Sequence, residues 1–158
     1  MPLDQSVIAT DTGGGTMLIT RSLLRRFAAA TGQDDPVYID VDAARAAGHP
    51  DLPVPPTFFF SVDLESADPA VYLADLGVDL RTVLHGEQEF IYHRMAHAGE
   101  ELSTTSRIVD VSSKKGGLLE FLRRETAVRG QDGAIVCVMR TVLVVRNPPA
   151  AGACKEAG

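Results

Sequence analysis

Between Pro55 and Leu64 the chain reads PPTFFFSVDL, and no other run constrains the fold as much. Proline suits a first helical turn, where amide hydrogens lack partners anyway, so Pro55, Pro56 or Thr57 marks a helix start. Phe58, Phe59 and Phe60 are consecutive. Neighbouring helical positions lie about 100° apart, so no single apolar stripe holds all three rings. Such a helix has to be covered on most sides, as it would be inside a wrapped sheet. The competing reading is an ordinary core helix that follows a loop.

The second half of the chain supplies a sheet. Residues 87–94 alternate, with Phe90 and Tyr92 on one face and Glu89, Ile91 and His93 on the other. Residues 101–113 are long and β-branched, 118–129 alternate around Phe121, and 134–146 (AIVCVMRTVLVVR) form the most apolar strand, expected centrally. Residues 114–117 and 130–133 read as hairpin loops. Four strands joined by short turns after a helical first half define an α+β fold with an antiparallel sheet. These strands are long enough to curl around the helix at 55–64.

The first half is punctuated by caps and breakers. After Gly13, Gly14 and Gly15, read as a flexible turn, residues 16–20 (TMLIT) suggest a short strand. Leu23, Leu24, Phe27 and Ala28 fall at helical spacing, and Gly32 sits where a left-handed cap would end that helix. Asp40 or Asp42 can cap a short helix through 43–47, closed by Gly48. Asp68-Pro69 opens another, ending at Gly77. Residues 1–146 are expected to form one domain and 147–158 a disordered tail.

Composition narrows the function. With 158 residues, 45% hydrophobic, the chain can bury a real core. A net charge of −6 and only the dispersed pairs Arg25-Arg26, Lys114-Lys115 and Arg123-Arg124 argue against nucleic acid. No apolar run reaches the roughly 18 residues of a membrane span, and the first residues lack an export signal, so a cytoplasmic protein is expected. Cys137 and Cys154 have neither disulfide nor metal spacing, consistent with a reducing compartment and no metal.

Two stretches, RRFAAATGQDDPVYIDVDAARAAGHPDLPVPPTF and LHGEQEFIYHRMAHAGEEL, resemble the MaoC-like hydratase/dehydratase group of hot-dog proteins. The match is nearest to the N-terminal dehydratase region of fatty-acid-synthase-type and heterodimeric 3-hydroxyacyl-thioester dehydratases, and spans about residues 16–146. The resemblance implies a hot-dog fold, an antiparallel sheet wrapped around a central helix, pairing with a second hot dog, and a pocket for an acyl thioester. The implied reaction is reversible addition of water to a trans-2-enoyl thioester, giving the (R)-3-hydroxyacyl form. No cofactor is implied beyond the CoA or acyl carrier protein that carries the substrate.

Members active on their own carry Gly-Asp-x-Asn-Pro-x-His, in which a carboxylate and an imidazole share one water and divide its protons. The matching letters here run from Gly32 to Tyr38, with Gln33 at the acid position and Tyr38 at the histidine position. Glutamine does not titrate, and a phenol with a reference pKa of about 10 is a poor base near neutrality. Gln33, Tyr38, Pro56, Thr57, Phe58, His85 and Gly86 are therefore expected to bind substrate. Asp34, Asp35 and His85 are the substitute catalytic candidates, although Asp34-Asp35-Pro36 also reads as turn chemistry. His49 and His97 look like surface residues. The favoured expectation is the non-catalytic half of a dehydratase heterodimer. The alternatives are a hydratase using Asp34 or Asp35 with His85, an acyl-CoA-binding hot dog without chemistry, and a thioesterase, which would need a carboxylate at the helix start.

Overall fold

The computed structural model describes residues 3–147. The N-terminal part lays down two short strands, β1 (Asp11–Gly13) and β2 (Thr16–Leu18), and four helices. The helices are α1 (Arg21–Thr31), α2 (Val41–Ala46), α3 (Phe59–Ser66) and α4 (Pro69–Asp75). Four long strands follow: β3 (Val83–Tyr92), β4 (Glu101–Lys114), β5 (Leu119–Arg129) and β6 (Ile135–Arg146). All pair antiparallel in the order β1-β4-β5-β6-β3, with β2 sharing the outer edge of β4.

The helix boundaries follow local chemistry. Thr20 caps α1 by accepting the Leu23 amide, and Gly32 ends it at a φ of 68°. Asp40, rather than Asp42, caps α2, and Asp68 caps α4 ahead of Pro69. The central helix departs from expectation. It begins at Phe59 without a side-chain cap, because Thr57 takes a left-handed φ of 69° that no helical turn can include. The glycine stretch is not a loose turn either. Gly13 belongs to β1, and Gly15 exchanges hydrogen bonds with Thr104 of β4.

The helices cover one face of the sheet in two halves. Leu24 of α1 and Phe59 and Val62 of α3 pack with Leu52, Phe58, Leu102, Val128, Val136 and Met139. Leu73 of α4 packs with Ile108, Val111, Leu122 and Leu143. Phe58 and Phe59 are buried and Phe60 is half-buried, so the three rings do point in different directions. α3 touches β2 and β4 and is bonded to β5, so the sheet curls around it. This is the hot-dog architecture that the resemblance implied.

Two buried charges fasten the central helix to the sheet. Arg124 of β5 donates to both carboxylate oxygens of Asp63 in α3, at 2.5 and 3.0 Å, with side chains only 4% and 6% exposed. Ser106 and Thr126 also donate to Asp63, each at 3.3 Å, and Arg124 donates its Nε–H to Thr12 of β1 at 2.7 Å. The guanidinium lies over the Tyr72 ring of α4 at 5.1 Å. Each guanidinium nitrogen and each carboxylate oxygen thus has at least one partner, the pairing that a buried ion pair requires.

Among the described residues no helix is long and apolar enough to cross a membrane. The stretch expected to form a disordered tail, with Cys154, lies outside the described residues from 148 onward.

Candidate functional site

The turn after α1 is built by its own side chains. Gln33 Oε1 accepts the Asp35 amide at 3.2 Å, and Asp35 caps a short 3-10 turn (Pro36–Tyr38) by accepting the Val37 amide at 3.0 Å. Asp34 and Asp35 are exposed. The turn hands Tyr38, half-buried, to an apolar cavity of about 330 Å³. Val54, Pro56, Phe59, Tyr92, Met95 and Ala96 line it together with His93 and Arg94. The Tyr38 hydroxyl makes no hydrogen bond to the described residues and is available to a ligand.

A second cavity of about 360 Å³ lies across the segment that precedes α3. Phe27, Thr31, Thr57, Phe60, Ser61, His85, Gln88 and Phe90 line it. His85 packs edge-on against Phe60 at 5.7 Å, with Nε2 3.3 Å from Gln88 Oε1. Gly86 sits at a bulge in β3, where a side chain would press on Val142 and Val144 of β6. Phe58 lines neither cavity and packs edge-on to Phe27 at 5.2 Å.

The expected binding residues thus divide between two cavities: Tyr38 and Pro56 line one, Thr57 and His85 the other. Gln33 and Gly86 shape backbone beside them. Asp34 and Asp35 share neither a cavity nor a hydrogen bond with His85, so the substitute catalytic set is not brought together. Of the α3 carboxylates, Asp63 is held by Arg124 and Glu65 is exposed, and neither lines either cavity. Sequence reasoning missed Phe59, Tyr92, Met95 and Ala96 as cavity residues. The shared face of Phe90 and Tyr92, whose rings stack at 6.1 Å, was the available signal.

His49 and His97 are not plain surface residues. Both are half-buried, His49 Nδ1 lies 3.3 Å from His97 Nε2, and Glu100 accepts the His97 amide at 2.8 Å. The β-bridge of Pro53 with His97 draws the two loops together, a long-range contact that turn composition does not reveal. Burial holds His97 below the ordinary histidine range, opposed by Glu100. Among the described residues no three His, Cys, Asp or Glu side chains are grouped to hold a metal.

A helix wrapped by an antiparallel sheet, with an apolar cavity under the turn that follows α1, defines a hot-dog protein. Residues 6–139 match the family model described as FAS1-like, dehydratase domain region, and the chain belongs to that family. It is 39% identical over 147 residues to the UPF0336 protein of Streptomyces griseus, covering 92% of this chain and 97% of that one. Among solved structures it resembles one titled a monoamine oxidase regulatory protein of Archaeoglobus (TM-score 0.77, 17% identity, 94% of this chain and 96% of that one). It also resembles a chain of the HadBC (3R-hydroxyacyl-ACP dehydratase) complex of Mycobacterium tuberculosis (TM-score 0.71, 21% identity, 89% of this chain and 99% of that one). At these identities the structural likenesses establish the fold.

Proposed function

We infer that this chain is the accessory half of an (R)-specific enoyl-thioester hydratase/3-hydroxyacyl-thioester dehydratase. It shapes the acyl pocket while a partner hot-dog chain supplies the carboxylate and imidazole. One observation carries the reading: the turn that holds an Asp/His pair in self-sufficient relatives here presents Gln33 and Tyr38, and Tyr38 alone of the two lines the cavity. An amide has no titrating proton, and a phenol is by its nature a poor base for activating water near pH 7. The Tyr38 hydroxyl can instead donate to a thioester carbonyl, while the apolar wall takes the acyl chain. A fold shared with a chain of a dehydratase complex supports the hot-dog partner.

The test is hydration of crotonyl-CoA, followed by loss of enoyl-thioester absorbance. The purified chain alone is expected to be inactive. Co-expression with a hot-dog chain carrying an intact Asp/His turn is expected to restore turnover, and turnover by the lone chain would refute the reading. Acyl-CoA binding with no turnover beside any such partner would mark a binding protein without chemistry.

A further inference from the structure

The two cavities are divided by adjacent residues of the same two segments. Ahead of and within the first turn of α3, Pro56 and Phe59 face the first cavity, while Thr57 and Phe60 face the second. On β3, Tyr92 faces the first and Phe90 the second. The seam is closed by one hydrogen bond, from the Thr57 amide to the Tyr92 hydroxyl at 3.2 Å. Two features mark this contact. Thr57 is β-branched yet holds a φ of 69°, a conformation that persists only where its surroundings enforce it. Tyr92 is 49% exposed, and its ring lies 6.0 Å from that of Phe59 and 6.1 Å from that of Phe90.

We propose that the Tyr92 ring, pinned by its hydroxyl to the Thr57 amide, is the latch between the two cavities and sets the acyl length this subunit accepts. The inference rests on the acyl-binding role given above. With the latch shut, an acyl chain entering beside Tyr38 ends against the Tyr92 ring and only short chains are fully seated. With the ring displaced, the same chain continues past Phe60 and Phe90. Each further methylene placed in an apolar pocket raises affinity roughly fourfold, so removal of the latch favours long chains steeply.

The experiment is calorimetric binding of butyryl-, octanoyl- and palmitoyl-CoA to the full chain, alone and with its hot-dog partner. Wild type, Tyr92→Phe and Tyr92→Ala are compared after thermal melts confirm folding. In Tyr92→Ala the palmitoyl-to-butyryl affinity ratio is expected to rise at least about tenfold. Tyr92→Phe, which keeps the ring and loses the hydrogen bond, shifts the ratio the same way by less, and decides the matter should the alanine variant fail to fold. Saturable binding with an unchanged ratio in the folded variants overturns the latch alone. No saturable binding of any acyl-CoA by wild type, in either form, overturns the acyl-binding role and the latch with it.

Discussion

Replacing Arg124 by leucine isolates the contribution of the buried ion pair. The side chain of Asp63 is 6% exposed and accepts two guanidinium hydrogen bonds, at 2.5 and 3.0 Å. After the substitution it retains only the hydroxyls of Ser106 and Thr126, and Thr12 loses the Nε–H that it accepts. Removing one member of such a pair costs about 3–5 kcal/mol, because a buried charge is left without its counter-ion. For a chain of this length each kcal/mol moves the melting midpoint by about 2–4 °C, so the midpoint falls by roughly 6–20 °C. The double variant Arg124→Leu with Asp63→Leu removes both charges and is expected to recover most of that loss, since apolar replacement of a whole buried pair is often neutral. Urea unfolding followed by circular dichroism measures both. A loss below about 1 kcal/mol in the single variant, or a double variant no better than the single, would refute the assignment of the penalty to an uncompensated charge.

Other features give further checks. Hydrogen bonding from Arg21 lowers Asp51 to about 2, so the stability it contributes is present above its ordinary value of 3.8 and is lost as pH falls toward 2. Asp51→Asn should remove that part of the acid transition in a pH-dependent unfolding series. A Cβ on Gly14 would overlap the backbone carbonyl of Thr104, so Gly14→Ala should cost about 1–3 kcal/mol by denaturant titration. Gly32 has open space around it and a φ of 68°, so Gly32→Ala should cost only its backbone strain, about 1–2 kcal/mol. Burial pushes the Cys137 thiol up to about 11, so in a Cys154→Ser background a disulfide reagent should label the chain only after denaturant is added.

What the sequence disclosed was mostly local. Gly32, Asp40 and Asp68 announce helix ends through groups within three residues, and the structure places each where that chemistry requires. What it concealed was long-range. β1 spans only three residues, too few to show alternation, and exists because Asp11 and Gly13 pair with Arg107 and Ser106. The start of α3 was misplaced because Pro55-Pro56-Thr57 has the letters of a first turn, whereas Thr57 is held outside the helix by a hydroxyl 35 residues away. The Asp63–Arg124 pair did leave a trace. In β5 the buried face runs Glu120, Leu122, Arg124, Thr126, Val128, so an arginine stood in register with core positions of an alternating strand. Gln33 and Tyr38 were legible in the turn; that Tyr38 lines a cavity next to a second one depended on where β3 lies.

The ion pair also orders events during synthesis. Asp63 leaves the ribosome 61 residues ahead of Arg124, and Thr12 precedes the same arginine by 112. Until that cation arrives, docking α3 would strand a bare carboxylate in oil, so premature collapse of the N-terminal half is disfavoured. Closing loops of this size adds an entropic barrier that grows only slowly with length. Stable docking of the central helix therefore depends on the third long strand as well as on the N-terminal half.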